Sequence, residues 1–223
     1  MALIGVCMAN HKYGKHIIVS KLEHPSIYSI CDYLDSIGFE ISYVNNDQDG
    51  LINFDHLRSL IREDTILVSI CAVNSELGIR QPLKMLRQII KKENDKTLFH
   101  SDITQALGKT NISFFDVDIA SASIHKIYGP KGIGILYKNN QVRMNPIILG
   151  SGKTNILRPG TPALPLIVAA SRAIRIATND IDSREKYITL LNESIKKKLS
   201  NMEGIKINST KYSIPHILNI SLD

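Results

Sequence analysis

Ser121-Ala-Ser-Ile-His-Lys126-Ile-Tyr-Gly-Pro-Lys-Gly-Ile-Gly134 closes one apolar run and turns at once into another. A lysine at a strand end, flanked by a hydroxyl and an imidazole and followed by a glycine-rich turn, is a place to hold an aldehyde and a phosphate. An amine joins an aldehyde only when unprotonated, which requires desolvation or a neighbouring cation. Lys126 occupies that place. Ser123 and His125 are near enough along the chain to donate to a phosphate, and the glycines let the backbone approach. Together these residue types point to pyridoxal phosphate. Gly129-Pro-Lys-Gly132-Ile-Gly134 is no dinucleotide fingerprint, because a proline follows its first glycine and a strand follows its last.

Working outward, apolar runs alternate with amphipathic segments, the pattern of a mainly parallel sheet covered by helices. Strands are expected at Lys15 to Ser20, Glu40 to Val44, Thr65 to Ala72, Thr97 to Asp102, Ile119 to Ser123 and Ile133 to Tyr137. Helical periodicity covers Ser26 to Ile37, Phe54 to Arg62 and Pro82 to Lys92. Pro162 to Thr178, rich in Ala, Leu and Ile, reads as a largely buried helix, and Ile181 to Met202 as a long charged amphipathic one. Ligands of open parallel sheets sit at the carboxyl ends of the strands, where Asn74, Asp102 and His125-Lys126 all fall. Asp102 there either holds a pyridine nitrogen protonated, making the ring an electron sink, or caps a helix. His24, in Glu23-His24-Pro25, taken alone is a surface or capping residue.

The motifs in their order resemble one family. His24, Ala72-Val-Asn-Ser-Glu-Leu-Gly78, His100-Ser-Asp-Ile-Thr-Gln105, Ser123-Ile-His-Lys-Ile-Tyr-Gly-Pro-Lys-Gly132 and Arg158-Pro-Gly-Thr161 are similar to successive motifs of cysteine desulfurases, within the class V aminotransferase group. The resemblance runs from about Asn10 to Ile214-Pro-His-Ile-Leu-Asn-Ile220. It implies a three-layer α/β/α large domain of a fold type I pyridoxal phosphate-dependent transferase over residues 1–202, with a small C-terminal domain beginning at 203–223. It implies that Lys126 carries the cofactor and His24 stacks on its ring, both serving catalysis. Asp102 would pair with the pyridine nitrogen, Gln105 contact the ring hydroxyl, and Asn74 lie near it. Ser123 and His125 would bind the phosphate, and Thr161 of one subunit would reach the phosphate of the other, in a homodimer.

The implied reaction is sulfur transfer from L-cysteine, giving L-alanine and a persulfide for an acceptor protein in iron-sulfur cluster or thio-cofactor assembly. Relatives begin further upstream, with a phosphate-clamping turn, and continue into a domain carrying the persulfide-forming cysteine and a carboxylate-gripping arginine. The alternatives are therefore a non-catalytic cofactor-binding fragment, or another class V enzyme such as a selenocysteine lyase. Ile124 stands where glycine is common and Ser75 where a second asparagine is, so the fit beside the cofactor is expected to differ.

Composition bounds the rest. The 223 residues are 43% hydrophobic and 22% charged, enough for one substantial core. The net charge of +6 is dispersed, and its densest run, Lys196-Lys-Lys198, alternates with apolar helix positions, so it reads as a solvated face and no nucleic acid is expected. Cys7, Cys31 and Cys71 have no metal or disulfide spacing and read as small core residues, suited to a reducing cytoplasm. The apolar start is short, lacks a basic flank and breaks at Asn10-His11-Lys12, so neither a signal peptide nor a membrane span is expected.

Overall fold

The computed structural model describes residues 1–151 and 155–222. In chain order the elements are α1 (Ala2–Asn10), β1 (His16–Ser20), α2 (Pro25–Ser36), β2 (Glu40–Val44), α3 (Phe54–Leu60), β3 (Thr65–Ser69), α4 (Leu83–Glu93), β4 (Leu98–Asp102), β5 (Ile119–Ser123), β6 (Gly134–Lys138), α5 (Leu164–Thr178), α6 (Ile181–Leu199), β7 (Ile205–Ile207) and β8 (Ile220–Leu222). Six strands form one sheet in the order β2-β1-β3-β4-β5-β6. All neighbours are parallel except β6, which returns antiparallel to β5 through the Gly129–Gly132 turn.

Both faces of the sheet are covered, and the side-chain period of two decides which residue faces which layer. Ile17 and Val19 of β1 pack with Leu3 and Val6 of α1 and with Ile27 and Leu34 of α2. Ile18, between them, packs on the opposite face with Val68, Phe99, Leu57 of α3 and Leu86 and Ile90 of α4. β1 and β3 are buried at every position, which is why their sequences are continuous apolar runs with no alternation. Each fully buried Leu, Ile or Phe contributes about 1.5–3 kcal/mol relative to leaving it exposed.

The expected strands and helices form, with ends moved by a few residues. Beyond Ser69 the chain continues in ladder geometry, with Ile70 N–H donating to the His100 carbonyl and Ala72 N–H to that of Asp102. Near the end of the chain Ile220–Leu222 forms a strand paired antiparallel with β7, while Ile214 is buried and donates its N–H to the Gly78 carbonyl. Asp223, the last residue of the stretch 203–223 expected to begin a small C-terminal domain, lies outside the described residues.

One expectation fails. α5 is not a largely buried helix: only Ala170 and Ala177 are buried, whereas Leu164 and Val168 are 65% and 60% exposed. The helix meets the body of the protein along one narrow stripe, Ala170, Ala173, Ile174 and Ala177. Gly108 makes this possible, since its φ is +68° and a Cβ there would sit 2.6 Å from Ala177 Cβ. Composition announced an apolar helix but not how many of its faces have neighbours.

The strand order reverses between β1 and β3. The loops leaving their carboxyl ends go to opposite faces, and a crevice is left between them. The loops that follow β1, β3, β4 and β5 all carry polar residues there.

Candidate active site

A cavity of about 470 Å³ opens at this reversal point. Its walls include His24 after β1, Ser75 and Glu76 after β3, Asp102, Thr104 and Gln105 at the end of β4, and Ser123, His125 and Lys126 at the end of β5. Six of the eight residues expected at the site therefore meet. Asn74 does not line the cavity: it is buried behind it, donating through Nδ2 to the Leu22 carbonyl at 2.9 Å and accepting at Oδ1 from the N–H groups of Glu76 and Leu77. One end of its amide shapes its own turn and the other ties that turn to the loop after β1. Thr161 lies on an exposed stretch before α5 and is not among the lining residues. A larger groove of about 580 Å³, lined by residues such as Phe54, Met85 and Tyr212, contains none of these groups.

Local structure fixes the lining side chains. His24 is the N-cap of α2, its Nδ1 accepting from Ser26 N–H at 3.2 Å, and Pro25 at the first helical position supplies the pre-set φ. Capping leaves the other ring nitrogen and the ring face for the cavity. Asp102 Oδ1 accepts from Thr104 N–H at 2.9 Å, so the carboxylate both turns the chain and lines the cavity. Thr104 Oγ1 in turn accepts from Ser123 N–H at 3.1 Å, tying the end of β4 to the end of β5. His125 and Lys126 sit in a single 3₁₀ turn, Ile124–Ile127, whose two apolar ends are buried while its two basic residues are exposed. Ile124 belongs to the core rather than to the cavity wall. A Cβ on Gly129 would fall 2.2 Å from its Cγ2, so the glycine accommodates the branched residue.

Three buried groups underlie the cavity. His100 bridges Ser69 Oγ at 2.9 Å and Ser121 Oγ at 3.0 Å, joining β3, β4 and β5, and burial holds it neutral, its pKa pushed down to about 3. Cys71 lines the cavity with its thiol directed to the Leu22 carbonyl. Burial, with Glu23 and Asp102 nearby, raises its pKa well above the ordinary thiol range, so it is a poor nucleophile. Glu23 accepts the Cys71 N–H at 2.6 Å through Oε1, while Oε2 is buried without a partner. Its pKa is pushed up to about 8, first by burial and further by Asp102, with the Cys71 N–H opposing.

That raised value fixes a sign. Between its ordinary pKa of 4.5 and about 8, the folded protein holds a proton that the unfolded chain releases, so the carboxyl's contribution to stability falls as pH rises through this window. Glu23→Gln keeps an acceptor for Cys71 and removes the ionisation. Its unfolding free energy should be flatter across that range, and the variant should exceed the parent at pH 8 by a few kcal/mol at most, at about 1.4 kcal/mol per tenfold change in proton affinity. Parallel stability curves for the two proteins in urea titrations would count against a neutral Glu23.

The donor set suits pyridoxal phosphate. A carboxylate for a pyridine nitrogen, an amine for an aldehyde, an imidazole face for a ring, and hydroxyl and imidazole donors for a phosphate line one cavity of suitable size. Sequence reasoning passed over Thr104 and Glu23, although both lie inside quoted motifs. The one available signal for Glu23 was a carboxylate between the apolar Leu22 and Ile27.

A mostly parallel sheet in this order, with these groups at its carboxyl edge, defines a fold type I pyridoxal phosphate-dependent transferase. Residues 1–223 match the Aminotransferase class-V family, and the chain belongs to it; members of that family depend on pyridoxal phosphate. Cysteine desulfurase IscS of Histophilus somni is 39% identical over 228 aligned residues, covering 100% of this chain and 56% of the relative. The mitochondrial cysteine desulfurase of Saccharomyces cerevisiae is 38% identical, covering 99% and 45%. A solved NifS-like protein superposes with a TM-score of 0.95 at 37% identity, covering 99% of this chain and 61% of that one. The chain thus spans about half the length of the curated relatives it matches. No helix among the described residues is long and apolar enough to cross a membrane.

Proposed function

We propose that this chain is the cofactor-binding part of a cysteine desulfurase, acting on L-cysteine to give L-alanine and a protein persulfide that is passed to an acceptor protein. The observation that carries this reading is the meeting, in one cavity, of Lys126, Asp102 and the donors Ser123 and His125. The names of the relatives support the substrate. When bound, pyridoxal phosphate supplies an electron-accepting ring and an aldehyde carbon. Lys126 supplies the amine for that carbon and the base for the substrate's α proton, and Asp102 holds a proton at the ring nitrogen. Ser123 and His125 bind the phosphate, and His24 covers the ring. Asn74 acts by holding the Ser75–Glu76 wall in place.

We read the working unit as a homodimer in which Thr161 of each subunit reaches the other's phosphate. The exposed Tyr128, Leu164 and Val168 support an apolar contact between copies. Three free, buried cysteines support a reducing compartment, the cytoplasm.

Proton abstraction can be tested apart from sulfur transfer. The cofactor-loaded protein in D₂O should exchange the α hydrogen of L-alanine and L-cysteine, followed by NMR, at a rate that Lys126→Ala reduces to that of free pyridoxal phosphate. Equal exchange in the two proteins would remove the catalytic reading and leave cofactor binding alone.

A further inference from the structure

Gln105 and Lys109 lie four residues apart in the turn after β4. Leu107 N–H donates to the Ile103 carbonyl and Thr110 N–H to that of Ala106, and with Gly108 in the left-handed region between them the turn folds back so that the two side chains meet. Lys109 Nζ donates a hydrogen bond to Gln105 Oε1. An ammonium has three donors and no acceptor. The amide must therefore turn its oxygen to Lys109, and the –NH₂ group is what remains for the cavity that Gln105 lines. Oxygen and nitrogen of an amide are assigned from such partners, and here the partner's chemistry leaves no choice.

The placement of Lys109 has no evident use for the fold. Its side chain is half-buried, and among the described residues no carboxylate forms an ion pair with it. Burial, and then the nearby charge of Lys126, lower its pKa. A cation withdrawn from water beside another cation is unfavourable to stability, and such placements cluster at functional sites.

We propose that Lys109 is a positioning residue of the cofactor site: it locks the Gln105 amide as a hydrogen-bond donor toward the cavity, selecting an electron-rich oxygen on the bound ring. Asparagine or glutamine lining a cavity can normally present either end to a ligand. Gln105 presents one, because Lys109 occupies the other. This rests on the cavity being the pyridoxal phosphate site.

The test is a double-mutant cycle read by cofactor affinity and by the visible absorption band of the loaded protein across pH, neither of which needs turnover. Lys109→Met and Gln105→Leu should each weaken pyridoxal phosphate binding about five- to tenfold, the worth of one hydrogen bond of about 1 kcal/mol or slightly more. Both should move the pH midpoint of the band in the same direction. If Lys109 acts through Gln105, the double variant should resemble Gln105→Leu alone. Lys109→Arg, also a pure donor, should restore the parental midpoint. Lys109→Ala reads the same interaction should methionine not be accommodated. Parental affinity and midpoint in Lys109→Met, or single effects that simply add in the double variant, would overturn the proposal. A parent protein that gives no band at all would instead overturn the cofactor site on which it rests.

Discussion

Replacing Lys126 with alanine should abolish the visible absorption band that the protein acquires with pyridoxal phosphate, the largest functional effect expected of any single substitution here. The side chain is exposed in its 3₁₀ turn, so the fold should lose little, within about 0.5 kcal/mol. What is lost is the only amine that the cavity wall offers among the described residues. Lys131→Ala, in the following Gly129–Gly132 turn and not among the lining residues, should leave the band intact. A band of parental strength in Lys126→Ala would mean that another amine carries the cofactor, and the assignment of Lys126 would fall. Ser123→Ala should keep the band but raise the concentration needed to develop it, since the phosphate loses a donor while the amine stays.

The largest effect on stability is expected at the other edge of the sheet, from Asp118→Ala. Asp118 is buried where β5 begins, with Oδ1 2.7 Å from Arg87 and Oδ2 3.0 Å from Lys91, and Oδ2 also accepts the Phe99 N–H at 2.9 Å. One carboxylate thus joins α4, β4 and β5. Burial alone would raise its pKa, but Arg87, Lys91 and the Phe99 N–H outweigh burial and hold it below the ordinary 3.8. Its contribution is therefore complete above about pH 4 and is lost as pH falls through the depressed value. Truncation leaves the partly buried Arg87 and the Phe99 N–H without their carboxylate and Lys91 with only the Asp95 and Thr97 carbonyls, at a cost of about 3–5 kcal/mol. Urea unfolding should show a lower midpoint with unchanged slope, and Asp118→Asn, which keeps an acceptor for Phe99, should lose less. A loss under about 1 kcal/mol in the alanine variant would show that solvent screens this cluster far more than its burial suggests.

Much of the architecture was legible because strands such as β1 and β3 are apolar runs stopped by a polar residue, and polar residues at the strand ends line the site. Asp102 and Ser123 are readable in that way: each ends a strand, and sheet geometry sends strand ends to one edge. His24 was read as either ring-stacker or cap; it caps α2 and also lines the cavity. Other features depend on which loop lies against which, and that a linear pattern does not carry. Glu23 becomes a buried carboxyl only because Cys71, forty-eight residues away, brings its N–H to it. Lys109 looks like any surface lysine until the turn sets it beside Gln105 and near Lys126. Asn74, expected beside the bound ring, follows β3 but turns its amide inward, because a tight turn after a buried strand must satisfy its own backbone groups first. The face of α5 was misjudged for a related reason: hydrophobicity gives a helix a reason to be covered, not a neighbour to cover it.

The reversal of strand order has a kinetic side as well. β1 pairs with β3, and His16 lies opposite Thr65, forty-nine residues further on. This pair thus closes a long loop before any of its contacts can compensate for the lost chain entropy, the situation in which topology slows folding. The cavity at the reversal point draws residues from His24 to Lys126, so no hairpin, helix pair or single βαβ unit contains a rudimentary version of it. Assembly of the sheet and appearance of the binding site are therefore one event, and a ligand held there stabilises the finished sheet without helping the chain to find it.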